Sequence, residues 1–166
     1  VFRVDPSKGQ TLRLMFKGAA LPVDRESVYY LNVLEIPPKA DQSEGMNSLQ
    51  MAFRSRIKIF YRPAGLAGKP DDALAQLRWS LVSTRDGEGY ALRVNNPSGY
   101  HVSQVGLTLV VDGRRYRAED GMVGPRQSHQ FAVQGLDGQP GAGAKVEFEA
   151  INDYGALVPV SSPLAF

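Results

Sequence analysis

The chain has 166 residues, of which 43% are hydrophobic and 22% are charged, and its formal net charge is +2. These values are typical of a globular protein with one large domain or two small ones, and so small a charge does not indicate a nucleic-acid partner. The sequence contains no apolar run of about 18 residues that could span a membrane. Its lack of cysteine excludes disulfides, thiol catalysis and cysteine metal sites.

The N-terminal part of the chain has the alternation of apolar and polar residues that is typical of β-strands. Residues 10–16, QTLRLMF, alternate in this way. Residues 27–36, SVYYLNVLEI, are rich in β-branched and aromatic residues and end at a proline pair. The segment 48–61, SLQMAFRSRIKIFY, alternates over its whole length. We predict about four strands here, which would form half a β-sandwich and leave one face exposed.

A stretch rich in Pro, Gly and Ala follows, and we predict that residues 66–73 within it form a hinge or linker. A helical turn is predicted over 71–77. Strand patterns then resume in QLRWSLV, GYALRVNN, HVSQVGLTLVV, RRYRAE, SHQFAV and AKVEFEAI, and Asp112-Gly113 predicts a type I′ hairpin turn. We therefore predict a complete β-sandwich over residues 74–166 and part of a first domain over residues 1–65.

Three cations at alternate positions, Arg54, Arg56 and Lys58, lie among apolar residues in the strand RSRIKIFYRP. This pattern fits control of aggregation at a sheet edge, binding of nucleic acid or polysaccharide, or capture of an anion. The pattern alone does not choose among them.

Enzyme chemistry is not indicated by the sequence. His101 and His129 have no close-spaced His, Asp or Glu partner in a zinc pattern, so we expect no metal site. The pair Asp71-Asp72 lies in the linker, where solvated carboxylates are the simplest interpretation. We predict that the chain is not an enzyme and uses no cofactor.

Four segments, in this order along the chain, carry a resemblance to a known family. They are FRVDPSKGQTLRL (2–14), PVDRESVYYLNVLEIPP (22–38), SLQMAFRSRIKIFYRP (48–63) and INDYGA (151–156). Together they resemble the periplasmic pilus-assembly chaperones of the chaperone–usher pathway, the PapD-like family. The resemblance covers nearly the whole chain.

The resemblance implies an all-β fold of two immunoglobulin-like sandwich domains set at an angle, with a cleft between them. It implies a chaperone in the periplasm of a Gram-negative bacterium that binds pilin subunits and delivers them to an outer-membrane usher. Such chaperones complete each subunit's fold by donating a strand. The chain starts too late to contain the first strands of the first domain, so the resemblance also implies an N-terminal truncation.

The donor residues that the resemblance assigns are Leu49, Met51 and Phe53, within the predicted strand 48–61. A strand with bulky apolar groups at every second position can pair with an open sheet edge and fill the pockets beside it. Ile57 and Ile59, in contrast, are interpreted as core residues of the chain's own first domain.

Lys58 is assigned by the resemblance to the interdomain cleft, where it would bind the C-terminal carboxylate of the subunit. Such an anchor would hold the incoming strand in register, since a slip of one residue turns every side chain to the other face. Arg54 and Arg56 are interpreted as solvated edge charges. The family's second anchor is an arginine on the first strand, and it cannot be assigned to any residue of this chain.

Glu26, Arg62 and Asp153 match the charges that form an interdomain salt-bridge network in the family. The planar guanidinium of Arg62 can bridge two carboxylates. We expect this network to set the angle between the domains more than to add stability, because exposed ion pairs contribute little.

The loop at 39–47 is short, and the resemblance then implies the short-loop class that assembles rod or complex pili. One alternative function is a basic β-sandwich module that binds polysaccharide or nucleic acid, and another is a pilin or adhesin subunit. Self-association of the free chaperone, which would cap its own donor strand, is a further hypothesis.

Overall fold

The computed structural model describes residues 2–18, 20–37, 51–84, 87, 89–141 and 143–165. The regular elements in these ranges are β1 (Ser27–Glu35), β2 (Phe53–Tyr61), α1 (Pro70–Gln76), β3 (Arg78–Ser83), β4 (Tyr90–Asn96), β5 (Val102–Val111), β6 (Arg114–Arg117), β7 (Gly121–Val123), β8 (Gln127–Val133), β9 (Lys145–Ile151) and β10 (Leu157–Ala165).

Strands β1 and β2 pair antiparallel in a two-stranded sheet, in a register that runs from Ser27 opposite Tyr61 to Glu35 opposite Phe53. Because side chains alternate along a strand, this register defines two faces. The apolar face carries Tyr29, Leu31, Val33, Phe53, Ile57, Ile59 and Tyr61. The cationic face carries Val28, Tyr30, Leu34, Arg54, Arg56, Lys58 and Phe60.

The predicted strand at 10–16 is wrong, because the described residues before β1 contain no strand. Their alternation has no structural counterpart, and Leu14, for example, is 60% exposed. An extended segment becomes a strand only where a neighbouring backbone pairs with it, and β1 and β2 pair with each other alone among the described strands. Phe16 instead lays its ring against Tyr61, with centroids 4.5 Å apart.

The predicted helical turn is confirmed by α1, which begins inside the predicted linker. Pro70 occupies the first helical position, where its missing N–H costs no hydrogen bond. The Asp72 carboxylate accepts the backbone N–H of Lys69 at 3.2 Å. Ala73 is fully buried, so the helix is packed against the body that follows it.

Strands β3 to β10 form a sandwich with the pairing order β6-β5-β9-β10-β3-β4-β8, and β7 pairs with β5. Strand β10 joins the two layers, because Leu157–Pro163 pairs with β9 and the next two residues pair with β3. The core lies between the layers. Trp79 is 1% exposed there, and its ring lies 5.6 Å from that of Phe148 and 6.4 Å from that of Phe131.

The six strand patterns predicted after the linker are confirmed by β3, β4, β5, β6, β8 and β9. The predicted hairpin turn is confirmed as well, with φ of 47° at Asp112 and 81° at Gly113. Strand β10 was not predicted because it contains Pro159 and Pro163. Both prolines pair with β9 where β10 has no described neighbour on its other side, and proline is tolerated on such an open side because its missing N–H can face away from the partner strand.

Two features are absent from the described ranges. No helix there is long and apolar enough to cross a membrane. The same residues contain no group of three His, Cys, Asp or Glu side chains that could hold a metal ion.

Candidate functional site

The cationic face of the two-stranded sheet (β1 and β2) meets the sandwich (β3 to β10) at the start of β5. A cleft lies between these two bodies, the sheet and the sandwich. The backbone N–H of Glu26 donates to the carbonyl of Gly99 at 2.8 Å, which joins the chain before β1 to the turn before β5. A cavity of about 40 Å³ lies beside this junction, lined in part by Arg62, His101 and Ser103.

Alternate residues at the end of β2 make the contacts across this cleft. Lys58 donates a hydrogen bond to Ser103, and the Phe60 ring lies 5.1 Å from that of His101. Arg62, two residues further, binds carboxylates of both bodies. The period of two along a strand therefore turns one side of β2 toward the sandwich.

Arg62 joins the two carboxylates that were predicted to be its partners. Its Nε donates to Glu26 Oε1 at 2.9 Å. Its Nη1 and Nη2 donate to the two oxygens of Asp153 at 2.8 and 3.0 Å, which is a bidentate contact between residues 91 positions apart in sequence. The structure thus brings Glu26, Arg62 and Asp153 into one network.

Glu26 is the buried member of the network, with a side chain that is 3% exposed. Its Oε2 accepts the backbone N–H of His101 at 2.8 Å and lies 3.1 Å from His101 Nδ1. Burial alone would raise the pKa of Glu26, but the hydrogen bonds from His101 and Arg62 outweigh burial and hold the pKa below its usual value. The carboxylate is therefore ionised at neutral pH.

Asp153 is the exposed member, and a tight turn after β9 presents it. The Asn152 side chain accepts the backbone N–H groups of Tyr154 and Ala156, and Gly155 adopts a φ of 77°. This turn chemistry accounts for the residue types in INDYGA. The hydrogen bonds from Arg62 lower the pKa of Asp153.

Lys58 has a different environment from the other two cations of its strand. Its Nζ donates to Ser103 Oγ at 3.0 Å, and burial lowers the pKa of the ammonium. Arg56 instead lies over the ring of Tyr30, 3.8 Å from the centroid, on the exposed part of the cationic face. Arg54 is exposed as well, and so is Lys58 as a whole residue, so the hydrogen bond to Ser103 is what distinguishes Lys58 from the other two cations.

Two of the three predicted donor residues lie in the described part of the chain. Met51 is 54% exposed and Phe53 is 56% exposed. Leu49 and the predicted short loop at 39–47 lie outside the described residues.

His101, Ser103 and Tyr100 belong to the cleft but were not predicted. The Arg62 guanidinium lies 5.3 Å from the centre of the Tyr100 ring. No local sequence pattern marks these residues as functional, because folding alone brings them to their partners. His101 lies 75 positions from Glu26, Ser103 lies 45 positions from Lys58, and Tyr100 lies 38 positions from Arg62.

Two family models match the chain. The pili and flagellar-assembly chaperone PapD N-terminal domain matches residues 1–67, and the pili assembly chaperone PapD C-terminal domain matches residues 72–162. The chain belongs to the PapD-like family of pilus-assembly chaperones. This family consists of periplasmic chaperones of Gram-negative bacteria and not of enzymes, so both expectations are confirmed.

Curated relatives in the family include two close ones. The probable fimbrial chaperone YadV of Escherichia coli K12 is 45% identical over 161 residues, which is 95% of this chain and 64% of the relative. The chaperone protein FimB/FhaD of Bordetella pertussis is 42% identical, over 98% of this chain and 64% of the relative. The chain thus spans about two thirds of the length of these relatives.

Solved structures place the fold in the same family. The crystal structure of the YadV chaperone has a TM-score of 0.82 and 41% identity, over 97% of this chain and 74% of the other. The CupB2 chaperone of Pseudomonas aeruginosa has a TM-score of 0.73 and 34% identity, over 98% and 70%. The predicted all-β fold with two immunoglobulin-like domains, the first incomplete, is confirmed.

Proposed function

We propose that this chain is a periplasmic chaperone that binds pilin subunits, completes their fold with a donated strand and delivers them to an outer-membrane usher. Lys58 would bind the C-terminal carboxylate of the subunit in the cleft. The proposal keeps the predicted division into an incomplete first domain (1–65), a hinge (66–73) and a second domain (74–166).

The environment of Lys58 carries the proposal. Its ammonium is partly desolvated in the cleft, and its hydrogen-bond partner, the Ser103 hydroxyl, is neutral. Burial is the cause that lowers its pKa, with no compensating carboxylate among the described residues. A partly desolvated ammonium that has no carboxylate partner among the described residues can accept an incoming anion, and a charge-assisted hydrogen bond of this kind contributes about 1.5–3 kcal/mol.

Strand β2 supports the donor role. One edge of β2 pairs with β1, and no described strand pairs with the other edge. Phe53 is the first residue of β2, which is shorter than the predicted strand 48–61, and Met51 lies two residues before it; both side chains are exposed. Burying each of them in a subunit groove would contribute about 1.5–3 kcal/mol, and the open backbone edge would supply the hydrogen bonds of strand addition. Leu49 completes the proposed donor set.

The network of Glu26, Arg62 and Asp153 would fix the angle at which the two bodies face the subunit. This role is supported by the bidentate contact of Arg62 with Asp153 and its second contact with the buried Glu26, because a planar donor group held from two sides has little freedom to rotate.

The test is co-purification from the periplasm. The chaperone is expressed beside a pilin gene as wild type, Lys58→Ala and Arg54→Ala, and the pilin retained on the tagged chaperone is measured. We expect wild type and Arg54→Ala to retain the pilin and Lys58→Ala to lose most of it. Arg54 is the matched control because it is a cation on the same face of the same strand, outside the cleft.

The outcomes separate the parts of the proposal. Equal retention by Lys58→Ala and wild type would rule out the anchor role while leaving the donor strand in place. Retention lost to the same extent in both variants would favour a general effect of surface charge. That result would fit the basic-module alternative, for which binding should also weaken steeply with ionic strength.

Delivery to an usher and association of the free chaperone with itself are further parts of the proposal. Self-association would cover the exposed donor residues Met51 and Phe53 when no subunit is bound. Sedimentation velocity of wild type against Phe53→Ala tests it, since a dimer held by the donor strand should dissociate more readily in the variant.

A further inference from the structure

Strands β3, β4 and β8 carry a second group of cations, on the outer face of the sandwich. Alternation along β3 and β4 turns Trp79, Leu92 and Val94 into the core and leaves Arg78 and Arg93 exposed on the opposite face. These three strands contain no Asp or Glu. This face therefore carries positive charge without a carboxylate from its own strands.

The strand register makes the two arginines neighbours. Arg78 lies opposite Asn95 and Ser80 lies opposite Arg93, so the arginines are diagonal partners on adjacent strands. Diagonal partners have Cα atoms about 7–8 Å apart, which is within reach of long side chains. All four residues line a depression of about 390 Å³, a volume in the range of small-ligand sites.

The amide of Asn95 adds uncharged donors to this depression. Ser128 Oγ donates to Asn95 Oδ1 at 3.2 Å, so the amide oxygen is engaged and the NH₂ group keeps its two N–H donors. The half-buried hydroxyl of Ser80 lies at the same depression. The site thus offers guanidinium, amide and hydroxyl donors together.

The other layer of the sandwich shows how such a pair of cations is usually neutralised. There Arg115 and Lys145 both bind Glu147, at 2.6 and 2.8 Å. Neither Arg78 nor Arg93 takes part in an ion pair within the described part of the chain. The position that Glu147 fills in one layer is thus left to an external anion in the other.

A phosphate group matches this arrangement better than a carboxylate does. A guanidinium binds either anion through its planar fork, but a carboxylate presents only two oxygens in one plane. A phosphate group presents three strong acceptor oxygens in a tetrahedral arrangement. It can therefore accept from Arg78 on one strand and from Arg93 and Asn95 on the next at the same time.

We infer that Arg78, Arg93 and Asn95 form a binding site for the phosphate group of a small soluble compound, on the outer face of the sandwich. This site is separate from the cleft, whose contacts come from the start of β5 and the turn after β9, and it does not depend on the role proposed for Lys58.

The experiment is a titration of the full chain with inorganic phosphate at low ionic strength, followed by NMR of the side-chain N–H groups. We expect saturable shifts at Arg78 Nε, Arg93 Nε and Asn95 Nδ2. Succinate, a dicarboxylate of similar charge, is the comparison probe, and we expect it to bind several-fold more weakly. Absence of saturable shifts, or succinate binding as tight as that of phosphate, would overturn the inference.

Two arginine variants and a matched control test the assignment. We expect Arg78→Ala and Arg93→Ala each to weaken phosphate binding about tenfold or more, because hydrogen bonds to a charged group are lost. Arg115→Ala removes the same charge from the other layer, and we expect it to bind phosphate as wild type does. Equal weakening in all three variants would show a response to net charge alone and would contradict a site.

Asn95→Asp is the sharpest single change, because it keeps the side-chain shape and an oxygen for Ser128 while adding a negative charge. We expect it to abolish saturable phosphate binding. Thermal unfolding shows that each variant is folded, as expected for exposed positions. Phosphate binding that is unchanged in Asn95→Asp would rule out this site.

Vesicles test the other source of a phosphate group, a lipid headgroup. Wild type and the arginine variants are sedimented with phosphatidylcholine vesicles that contain or lack phosphatidylglycerol. We expect no difference among them, since β3, β4 and β8 carry none of the exposed large hydrophobic side chains that could enter a bilayer. Sedimentation that requires phosphatidylglycerol and is lost in Arg78→Ala and Arg93→Ala, but not in Arg115→Ala, would overturn the soluble source.

Discussion

The sandwich and the two-stranded sheet use the same alternation of apolar and polar residues with opposite results. In the sandwich, alternate residues such as Leu92 and Val94 are fully buried between two layers. In the two-stranded sheet, Val33 remains 40% exposed and Ile57 54% exposed. Alternation therefore specifies a face, but whether that face becomes a core depends on a second layer.

This difference has an energetic consequence. A sandwich layer that covers an apolar face gains about 25 cal/mol for each Å² removed from water, and the two-stranded sheet has no described layer over most of its apolar face. Isolated two-stranded sheets are marginal in water. The contacts of Lys58, Phe60 and Arg62 with the sandwich are thus a main constraint on where this sheet lies.

The largest expected effect on stability comes from truncating one phenylalanine in the sandwich, and it is compared with the truncation of one phenylalanine in the two-stranded sheet. Phe148 is 4% exposed and packs on Trp79, whereas Phe53 is 56% exposed. We expect Phe148→Ala to lower the free energy of unfolding by about 3–5 kcal/mol, through lost burial and a cavity. We expect Phe53→Ala to change it by less than about 0.5 kcal/mol. Urea denaturation followed by far-UV circular dichroism measures both.

Pilin retention should respond in the opposite order. Phe53→Ala should lose pilin while its stability is unchanged, because Phe53 belongs to the proposed donor strand. Similar losses of stability in the two variants would show that Phe53 is packed as a core residue, which would break the comparison between the regions.

The next effect concerns the junction of the two regions. Arg62→Ala would remove the guanidinium that binds the buried carboxylate of Glu26. Leaving a buried ionised group without its partner lowers the free energy of unfolding by about 1–3 kcal/mol or more. We expect a lower unfolding free energy, weaker subunit capture and a wider distribution of shapes. Small-angle scattering measures the shape, and urea denaturation measures the stability.

Arg62→Lys is the matched variant, since it keeps the charge and loses the planar fork. We expect it to recover part of the stability but not the bidentate contact with Asp153. A scattering profile of Arg62→Ala that superimposes on wild type would contradict a role in setting the angle.

Sequence reasoning predicted the sandwich well because its evidence is local. Six strands and the Asp112-Gly113 turn each depend on patterns within about ten residues. The strand at 10–16 was predicted from the same kind of pattern and is wrong, since pairing depends on a neighbour that the pattern does not contain. Strand β10 was missed for the converse reason. Its two prolines argue against a strand, but they are tolerated because that part of β10 has a described neighbour on one side only, namely β9.

The residues of the cleft also fall into those that the sequence identified and those that it did not. Glu26, Arg62 and Asp153 were identified through a family resemblance, and the structure brings them within hydrogen-bond distance. His101 and Ser103 were not identified, because a single histidine or serine at the start of a strand has no distinguishing pattern. Their importance comes from the side of β5 that faces β2, which is a property of the packed bodies.

A smaller effect is expected on acidification. The pKa values of Glu26 and Asp153 are lowered in the folded protein, so the unfolded chain binds more protons than the folded one as the pH falls through the carboxyl range. Their stabilisation is complete above the ordinary carboxyl pKa of about 4. It is lost as the pH falls through the lower folded values. Urea denaturation between pH 3 and 7 should show this loss.

Glu26→Gln should flatten that pH dependence, because it removes one of the carboxyl groups whose pKa is lowered in the folded protein, a set that also includes Glu147, while keeping a hydrogen-bonding side chain. His101 and Arg62 are the charged or titratable neighbours that face Glu26. An unchanged slope in Glu26→Gln would show that other carboxyl groups govern acid unfolding.

The smallest expected effect lies wholly within the two-stranded sheet. Arg56 covers the Tyr30 ring at 3.8 Å, and an exposed cation–π contact contributes about 0.5–1 kcal/mol. Arg56→Ala should therefore speed hydrogen exchange of the β1 and β2 amides by a few-fold without changing exchange in the sandwich. Arg54→Ala is the matched control on the same face, and we expect it to have less effect. Faster exchange in β5 as well would mean that the two-stranded sheet and the sandwich open as one cooperative unit, which the contrast in their burial argues against.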